Sequence, residues 1–281
     1  MSNESRNVAV DQSTFETARL DWLDSETNVR NVVRQEMIAR QLSSHIAGRT
    51  GRVLDVGAGQ GMQSIRLARA GHEVVAVEPD PEMRRAFQAN VVREDADVRN
   101  RIELLAGSIG ELPPSLGDAT YDTVLLLGVL MYMPESRSAI AQISRCVAPG
   151  GVLAVAVRTP VSALWRPAAR QDWTAALAAF DEYDDAHDQG RDMRYVNEIG
   201  APARCDDIDS LTAECEANGL RLEQWYGVRI AVDTAETDPR PPTDATQLAA
   251  LFDVEERLGR TDPYRQLGQL AHLILRRSPP V

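Results

Sequence analysis

Val53-Leu54-Asp55-Val56-Gly57-Ala58-Gly59-Gln60-Gly61 is the stretch on which the fold turns. An apolar run interrupted by one acid leads into alternating glycines. Met62-Gln63-Ser64-Ile65-Arg66-Leu67-Ala68 then follows at helical spacing, so the whole reads as strand, tight turn and helix. Glycine lacks a Cβ, takes positive φ without penalty and lets backbone approach a ligand closely. A helix opening at Gly61 points its first unpaired N–H groups over that turn.

The dinucleotide fingerprint G-x-G-x-x-G requires a glycine where this chain has Met62. What stands here is G-x-G-x-G, with Asp55 two residues ahead of the first glycine. A pyrophosphate needs a closer backbone cradle than this; a nucleoside with an amino-acid tail does not. About twenty residues on, the run Glu73-Val74-Val75-Ala76-Val77 ends in Glu78. A carboxylate at the tip of a second strand suits two ribose hydroxyls, which are donors seeking an acceptor. The spacing and pairing of the two acids resemble those of the class I S-adenosylmethionine (SAM)-dependent methyltransferases. The plainer alternative is a glycine turn followed by a solvated Glu78.

Working outward, the alternation of elements predicts an α/β, Rossmann-like seven-stranded sheet with helices on both faces. A helix is expected from Asn28 to Ile46, because Val32, Val33, Met37, Ile38, Leu42 and Ile46 share one face. Strands are expected over Val53–Gly57, Glu73–Glu78, Ile102–Gly107, Tyr121–Gly128 and Gly151–Val157, with helices between them and a parallel sheet as the result. Asp80 reads as a helix N-cap, and Pro149-Gly150-Gly151 as a sharp stop. Residues 158–205 break the rhythm and carry Trp165, Trp173, Phe180, Tyr183 and Tyr195, which predicts a helical lid above the strand ends. A helix over Asp206–Asn218, a strand over Leu220–Val228, a polar loop insertion over 233–246, a helix over Gln247–Leu258 and a strand over Gln269–Leu275 complete the expectation. Residues 1–26 have weak periodicity and read as a flexible segment ahead of one domain spanning 27–277.

The chain has 281 residues, 43% of them hydrophobic, enough for a full core. No apolar run approaches a membrane span and no apolar leader opens the chain, so a cytoplasmic location is expected. Cys146, Cys205 and Cys215 have no C-x-x-C spacing, which fits reduced thiols and no zinc. The net charge is −12, and all thirty basic residues are arginine. An acidic chain is repelled at long range by phosphate backbones, which weighs against a nucleic-acid substrate.

Ligands in such sheets sit at the carboxyl ends of the strands. On that geometry Gly57, Ala58 and Gly59 face the methionine part of the donor, and Asp55 belongs to the same cofactor site. Glu78 holds the ribose, and Pro79 and Met83 flank the adenine. Ser108 and Ile109 reach the adenine edge and face, and Leu127 lies beneath the sulfonium. Met83 fits plain core equally well, and Ser108 fits a simple turn. Methyl transfer from a sulfonium is an in-line displacement that mainly requires alignment, so no catalytic dyad is needed. On the acceptor side the strand ends offer Met131, Tyr132, Arg158, Tyr226 and Arg229. Arg158 and Arg229 suit a forked clamp on a carboxylate or phosphate, or else ion pairs with the acidic insertion. His187 and His272 are the candidate bases, and no pair of histidines has metal-ligand spacing, so no metal is expected.

A finer resemblance spans roughly Val32 to Arg276. Val33-Arg34-Gln35, Ala70-Gly71-His72, Val129-Leu130, Pro149-Gly150-Gly151-Val152-Leu153, Gly227-Val228-Arg229, Pro263-Tyr264, Leu267-Gly268 and His272 resemble the branch of tRNA wobble-uridine methyltransferases that esterify 5-carboxymethoxyuridine. That resemblance implies that Arg34 binds the SAM carboxylate; periodicity alone makes it an ordinary helix residue. The chain departs from the branch at Leu127, where the family has a histidine, at Met131, where it has an acid, and at Thr159, where it tends to have asparagine. Those positions line the transfer site. Changes there, on a preserved donor site, imply a divergent paralogue acting on a small-molecule carboxylate or hydroxyl rather than on tRNA. A non-catalytic SAM-binding module and a nicotinamide-dependent oxidoreductase are the readings from other classes. The oligomeric state, a homodimer included, is not legible.

Overall fold

The computed structural model of the chain describes residues 28–279 apart from 47, 49, 198–199 and 234–239. The expected flexible segment 1–26 and much of the expected loop insertion lie outside the described residues. In chain order the elements are α1 (Val29–Ile46), β1 (Arg52–Val56), α2 (Met62–Arg69), β2 (Glu73–Glu78), α3 (Pro81–Val92), α4 (Ala96–Arg99), β3 (Ile102–Ala106), β4 (Tyr121–Leu127), α5 (Arg137–Arg145), β5 (Val147–Val157), α6 (Pro160–Ala169), α7 (Trp173–Asp188), β6 (Arg194–Val196), β7 (Pro202–Arg204), α8 (Ile208–Ala217), β8 (Leu220–Val228), α9 (Ala245–Arg260) and β9 (Leu270–Arg277).

The central strands are near-continuous apolar runs because both of their faces are covered. Leu54, Val56, Val124, Leu126, Leu153 and Val155 pack under α5 and α8. The alternate residues Val53, Leu125, Val152 and Ala154 pack on the opposite side with Leu42 of α1 and Leu67 of α2. The helices begin where short polar side chains cap them. Asp80 accepts from the backbone N–H groups of Glu82 and Met83, Asp207 from Ser210 and Asp244 from Gln247. Each such cap is worth about 1 kcal/mol.

The seven-stranded sheet has the order β3-β2-β1-β4-β5-β9-β8. The chain winds outward from β1 to β3, then returns to place β4 on the other side of β1. The switch point therefore lies between β1 and β4, and a crevice opens at their carboxyl ends. The sheet is mixed rather than parallel throughout: β9 runs antiparallel to both β5 and β8. The reason is local. The chain leaves β8 at Val228, passes through α9 and comes back to the same edge, pairing Leu270 with Val228. From there it can only run backward.

The insertion 158–205 is helical in α6 and α7, as the sequence suggested, but it ends in a two-stranded ribbon, β6–β7. Three residues per strand are too few to show an alternating pattern. The ribbon carries Tyr195 toward the end of β4, where the site is built.

Candidate functional site

The turn after β1 is held from both sides. Gly57 N–H donates to Val77 O at 2.8 Å, tying the turn to β2. Gly57 has φ +74, and a Cβ there would stand 2.4 Å from Val129 Cγ2. Gly61, at φ +82, has the Phe87 ring at the same 2.4 Å. Gly59 differs: a Cβ on it would meet nothing within 4 Å. The first and third glycines thus pack against protein, and the middle one faces open space. Arg34, Gln35, Asp55, Ala58, Gly59 and Leu127 line the crevice in front of it.

Glu78 ends β2 beside this turn. Its two carboxyl oxygens accept from Gly59 N–H at 2.7 Å and from Asp80 N–H at 2.9 Å. Burial pushes its pKa up to about 7, with Asp80 and Asp55 adding repulsion. Asp55, under the turn, accepts from Ser64 Oγ at 2.7 Å, and burial lifts it to about 6. Arg34 reaches across from α1 and donates through Nη2 to Leu127 O at 3.4 Å. It borders the crevice. Gln63, not anticipated, fastens α2 to α1 by donating to both the carbonyl and the side-chain oxygen of Gln35.

Of the expected adenine contacts, Pro79 is half-buried beside Glu78. Met83 and Ile109 are sealed, at 0% and 1% exposure, so neither offers a surface to a ligand. Both are core. Ser108 sits in a tight turn, exchanging backbone hydrogen bonds with Glu111.

The acceptor side gathers around the short 3-10 turn Leu130–Tyr132 that follows β4. Asn197 Nδ2 donates to Tyr132 Oη at 3.0 Å, and burial raises the Tyr132 pKa. Tyr195 Oη lies 3.7 Å from Met131 Sδ. The Arg158 guanidinium stands over the Tyr195 ring, 4.3 Å from its centroid. Thr159, beside it, caps α6 by accepting from Ser162 N–H.

Arg229 and His272 need correction. Arg229 donates through Nε and Nη2 to the two oxygens of Asp233 at 2.7 and 2.6 Å, which is an internal fork rather than a substrate clamp. Its backbone has φ +62, unusual for a side-chain-bearing residue. Asp233 is fully buried and also receives Arg30 at 3.1 Å and Arg170 at 3.5 Å. His272 is fully buried beneath α1, with Nδ1 2.8 Å from Gln41 Oε1. Desolvation pushes its pKa down to about 3, so it is a neutral structural imidazole and not a base facing the crevice. Tyr226 lies against His45, 2.9 Å from its Nε2. His187 lines a different cleft of about 640 Å³, with Leu164, Met193 and Trp225.

Two acids escaped notice in the sequence. Asp233 stood at the edge of a polar loop, and Glu255 in an amphipathic helix. The Glu255 carboxylate accepts from the N–H groups of Ile230, Ala231 and Val232 at 2.8, 2.9 and 3.1 Å, which shapes the turn carrying Arg229. The one available signal was an acid one turn beyond Leu251 and Phe252, on the face that packs inward. Among the described residues no helix is long and apolar enough to cross a membrane, and no three metal-ligating side chains cluster.

Residues 54–155 match the family described as methyltransferase domain. A ubiquinone biosynthesis O-methyltransferase of Xanthomonas euvesicatoria pv. vesicatoria is 28% identical over 171 residues, covering 56% of this chain and 68% of that protein. Its namesake in Xylella fastidiosa is 30% identical over 125 residues, 44% of this chain and 47% of that protein. This chain thus spans about two thirds of the first relative and about half of the second. Among solved structures, a Burkholderia thailandensis 1,6-didemethyltoxoflavin-N1-methyltransferase with bound S-adenosylhomocysteine superposes with a TM-score of 0.54 at 18% identity, covering 96% of this chain and 92% of that one. The fold is therefore the Rossmann-like methyltransferase fold.

Proposed function

We propose that this class I SAM-dependent methyltransferase domain passes its methyl group to an oxygen of a small molecule, a carboxylate or a hydroxyl. The methyltransferase domain matched over residues 54–155 and the relatives named methyltransferases support this enzyme class and this donor. When bound, the donor supplies a methyl group activated by a sulfonium charge. The residues present fit it: Gly59 opens onto a crevice, Arg34 borders it and Glu78 stands beside the turn, accepting from Gly59 N–H. Arg34 would hold the carboxylate of the donor's amino-acid tail by charge-assisted hydrogen bonds. Glu78 would accept from the ribose while keeping the turn in place through Gly59 N–H. Gly57 to Gly59 bring backbone close to the amino-acid tail, and Leu127 forms the floor.

The observation that carries the acceptor reading is the roof. The ribbon lays Tyr195 and Asn197 against Met131 and Tyr132, covering the end of β4. A covered strand end of this kind favours a small molecule over a structured RNA loop. Alignment beneath such a cover, with water kept out, is what in-line displacement requires of the protein. The sequence relatives are named O-methyltransferases, which favours oxygen.

The test is an untargeted metabolite screen with deuterated-methyl SAM, run beside labelled SAM with bulk tRNA. Label in a small acid or alcohol is the expected result. Label in tRNA alone would replace this reading with the wobble-uridine esterification.

A further inference from the structure

Four arginines are buried among the described residues: Arg158, Arg166, Arg204 and Arg229. Three have their charge or their donors answered. Arg204 pairs with Asp192 and Asp206, each at 2.7 Å. Arg229 is forked onto Asp233. Arg166 gives Nη2 to the carbonyls of Arg229 and Leu267 at 2.5 and 2.7 Å.

Arg158 is different. It is 8% exposed, and its Nε, like those of Arg166 and Arg204, is sealed from solvent with no hydrogen-bond partner. Neither an ion pair nor a side-chain hydrogen bond engages it among the described residues. Its support is the Tyr195 ring. A guanidinium does not shed its proton to escape burial. A buried cation without a counter-charge is strongly disfavoured, and an aromatic face offsets only part of that. Arg166 lies close enough to add repulsion.

Its position is telling. Arg158 follows Ala156 by two residues, so strand alternation puts it on the face where Ala156 packs with Val33 and Met37 of α1. Arg34 reaches Leu127 from that same helix. Gly128 N–H donates to Ala156 O at 2.9 Å, which sets the end of β4 directly beside the strand that delivers Arg158. The ring beneath Arg158 touches Met131.

We infer that Arg158 is the anchor for a carboxylate on the methyl acceptor, so that the substrate is a small carboxylic acid bound as its anion, with Tyr195 bracing the guanidinium. The inference rests on the small-molecule reading above and narrows it. A forked guanidinium matches the two oxygens of a carboxylate, and the bound anion is the missing counter-charge.

The test is calorimetric titration of the full chain, loaded with S-adenosylhomocysteine, with benzoate, phenylacetate and hexanoate, each compared with its amide. The acids are expected to bind more tightly than the amides by about tenfold or more, the scale of a charge-assisted hydrogen bond. Arg158→Gln should abolish that preference and Arg158→Lys should keep part of it. Without added acid, Arg158→Gln should melt at or above the wild-type temperature, since it removes an uncompensated buried charge. A purely structural arginine would make it melt lower. Equal binding of acids and amides, or an undiminished acid preference in Arg158→Gln, would overturn the inference. Label found only in tRNA would defeat the small-molecule reading, while the titration would still report on Arg158 by itself.

Discussion

The two sides of the crevice are built on different plans. On the proposed donor side Asp55, Gly57, Gly59 and Glu78 come from one contiguous strand–turn–helix–strand unit and are fixed by hydrogen bonds within it. On the proposed acceptor side Tyr132, Arg158 and Tyr195 arrive from three distant segments. A cation–aromatic contact and side-chain contacts between those segments set their positions. The difference teaches that the glycine turn of the proposed donor pocket is set by local sequence, with Arg34 and Leu127 added from α1 and β4, whereas the proposed acceptor side is set by assembly. Substitutions on the two sides should therefore fail in different ways.

The largest effect is expected at Asp233. Asp233→Ala leaves Arg229 buried with no carboxylate and removes a partner of Arg30 and Arg170. Stability should fall by about 3–5 kcal/mol in urea unfolding. The fraction that stays folded should bind S-adenosylhomocysteine normally. A matching loss of nucleoside affinity would erase the distinction between the two sides.

Gly57→Ala should do the reverse. The new methyl group collides with Val129 at a positive φ, which costs about 1–3 kcal/mol by overpacking. The turn must shift, so S-adenosylhomocysteine binding should be lost in calorimetry while the lid side keeps its structure by near-ultraviolet circular dichroism.

Glu78→Ala removes one charged acceptor and should weaken cofactor binding by about 1–3 kcal/mol. The same carboxyl gives the wild type a pH dependence. Its folded value of about 7 leaves it largely protonated in mildly acidic buffer. Nucleoside affinity should therefore rise as pH increases through about 7 and level off above it. A flat profile would mean that Glu78 does not meet the ribose.

The smallest effect at neutral pH belongs to His272. Its folded pKa, about 3, lies below the ordinary 6.5, so between those values the unfolded chain binds a proton that the native chain does not. Stability from this residue is complete above about pH 6.5 and declines as pH falls, by at most about 1.4 kcal/mol per pH unit. His272→Asn should flatten that slope and leave turnover intact. A large drop in turnover at unchanged stability would restore His272 as a participant in the chemistry.

What could be read from the sequence follows the same division. The place of Glu78 was legible, at the tip of a strand about twenty residues past a glycine turn, and burial excludes the solvated alternative. Arg34 was legible only through resemblance, since helix periodicity gives it no partner; Leu127, which it contacts, is a tertiary neighbour. Arg229 was misassigned as a clamp although Asp233 stood four residues away. The pairing depends on a left-handed turn held by Glu255, and no local pattern announces that turn. Likewise the β6–β7 ribbon is too short to show a period, yet it supplies the roof. His272 sits in an apolar run, and only its depth beneath α1 reveals that it cannot take up a proton readily.

Asp233 also constrains how such a protein can be redesigned. One carboxylate receives arginines from α1, from the turn after α6 and from the end of β8. The roof is thus not a detachable cassette. A chimaera that imports a foreign 158–205 segment to change acceptor preference would have to carry an arginine equivalent to Arg170. Without one, the graft would have lost its clasp to the scaffold before any new specificity could be read.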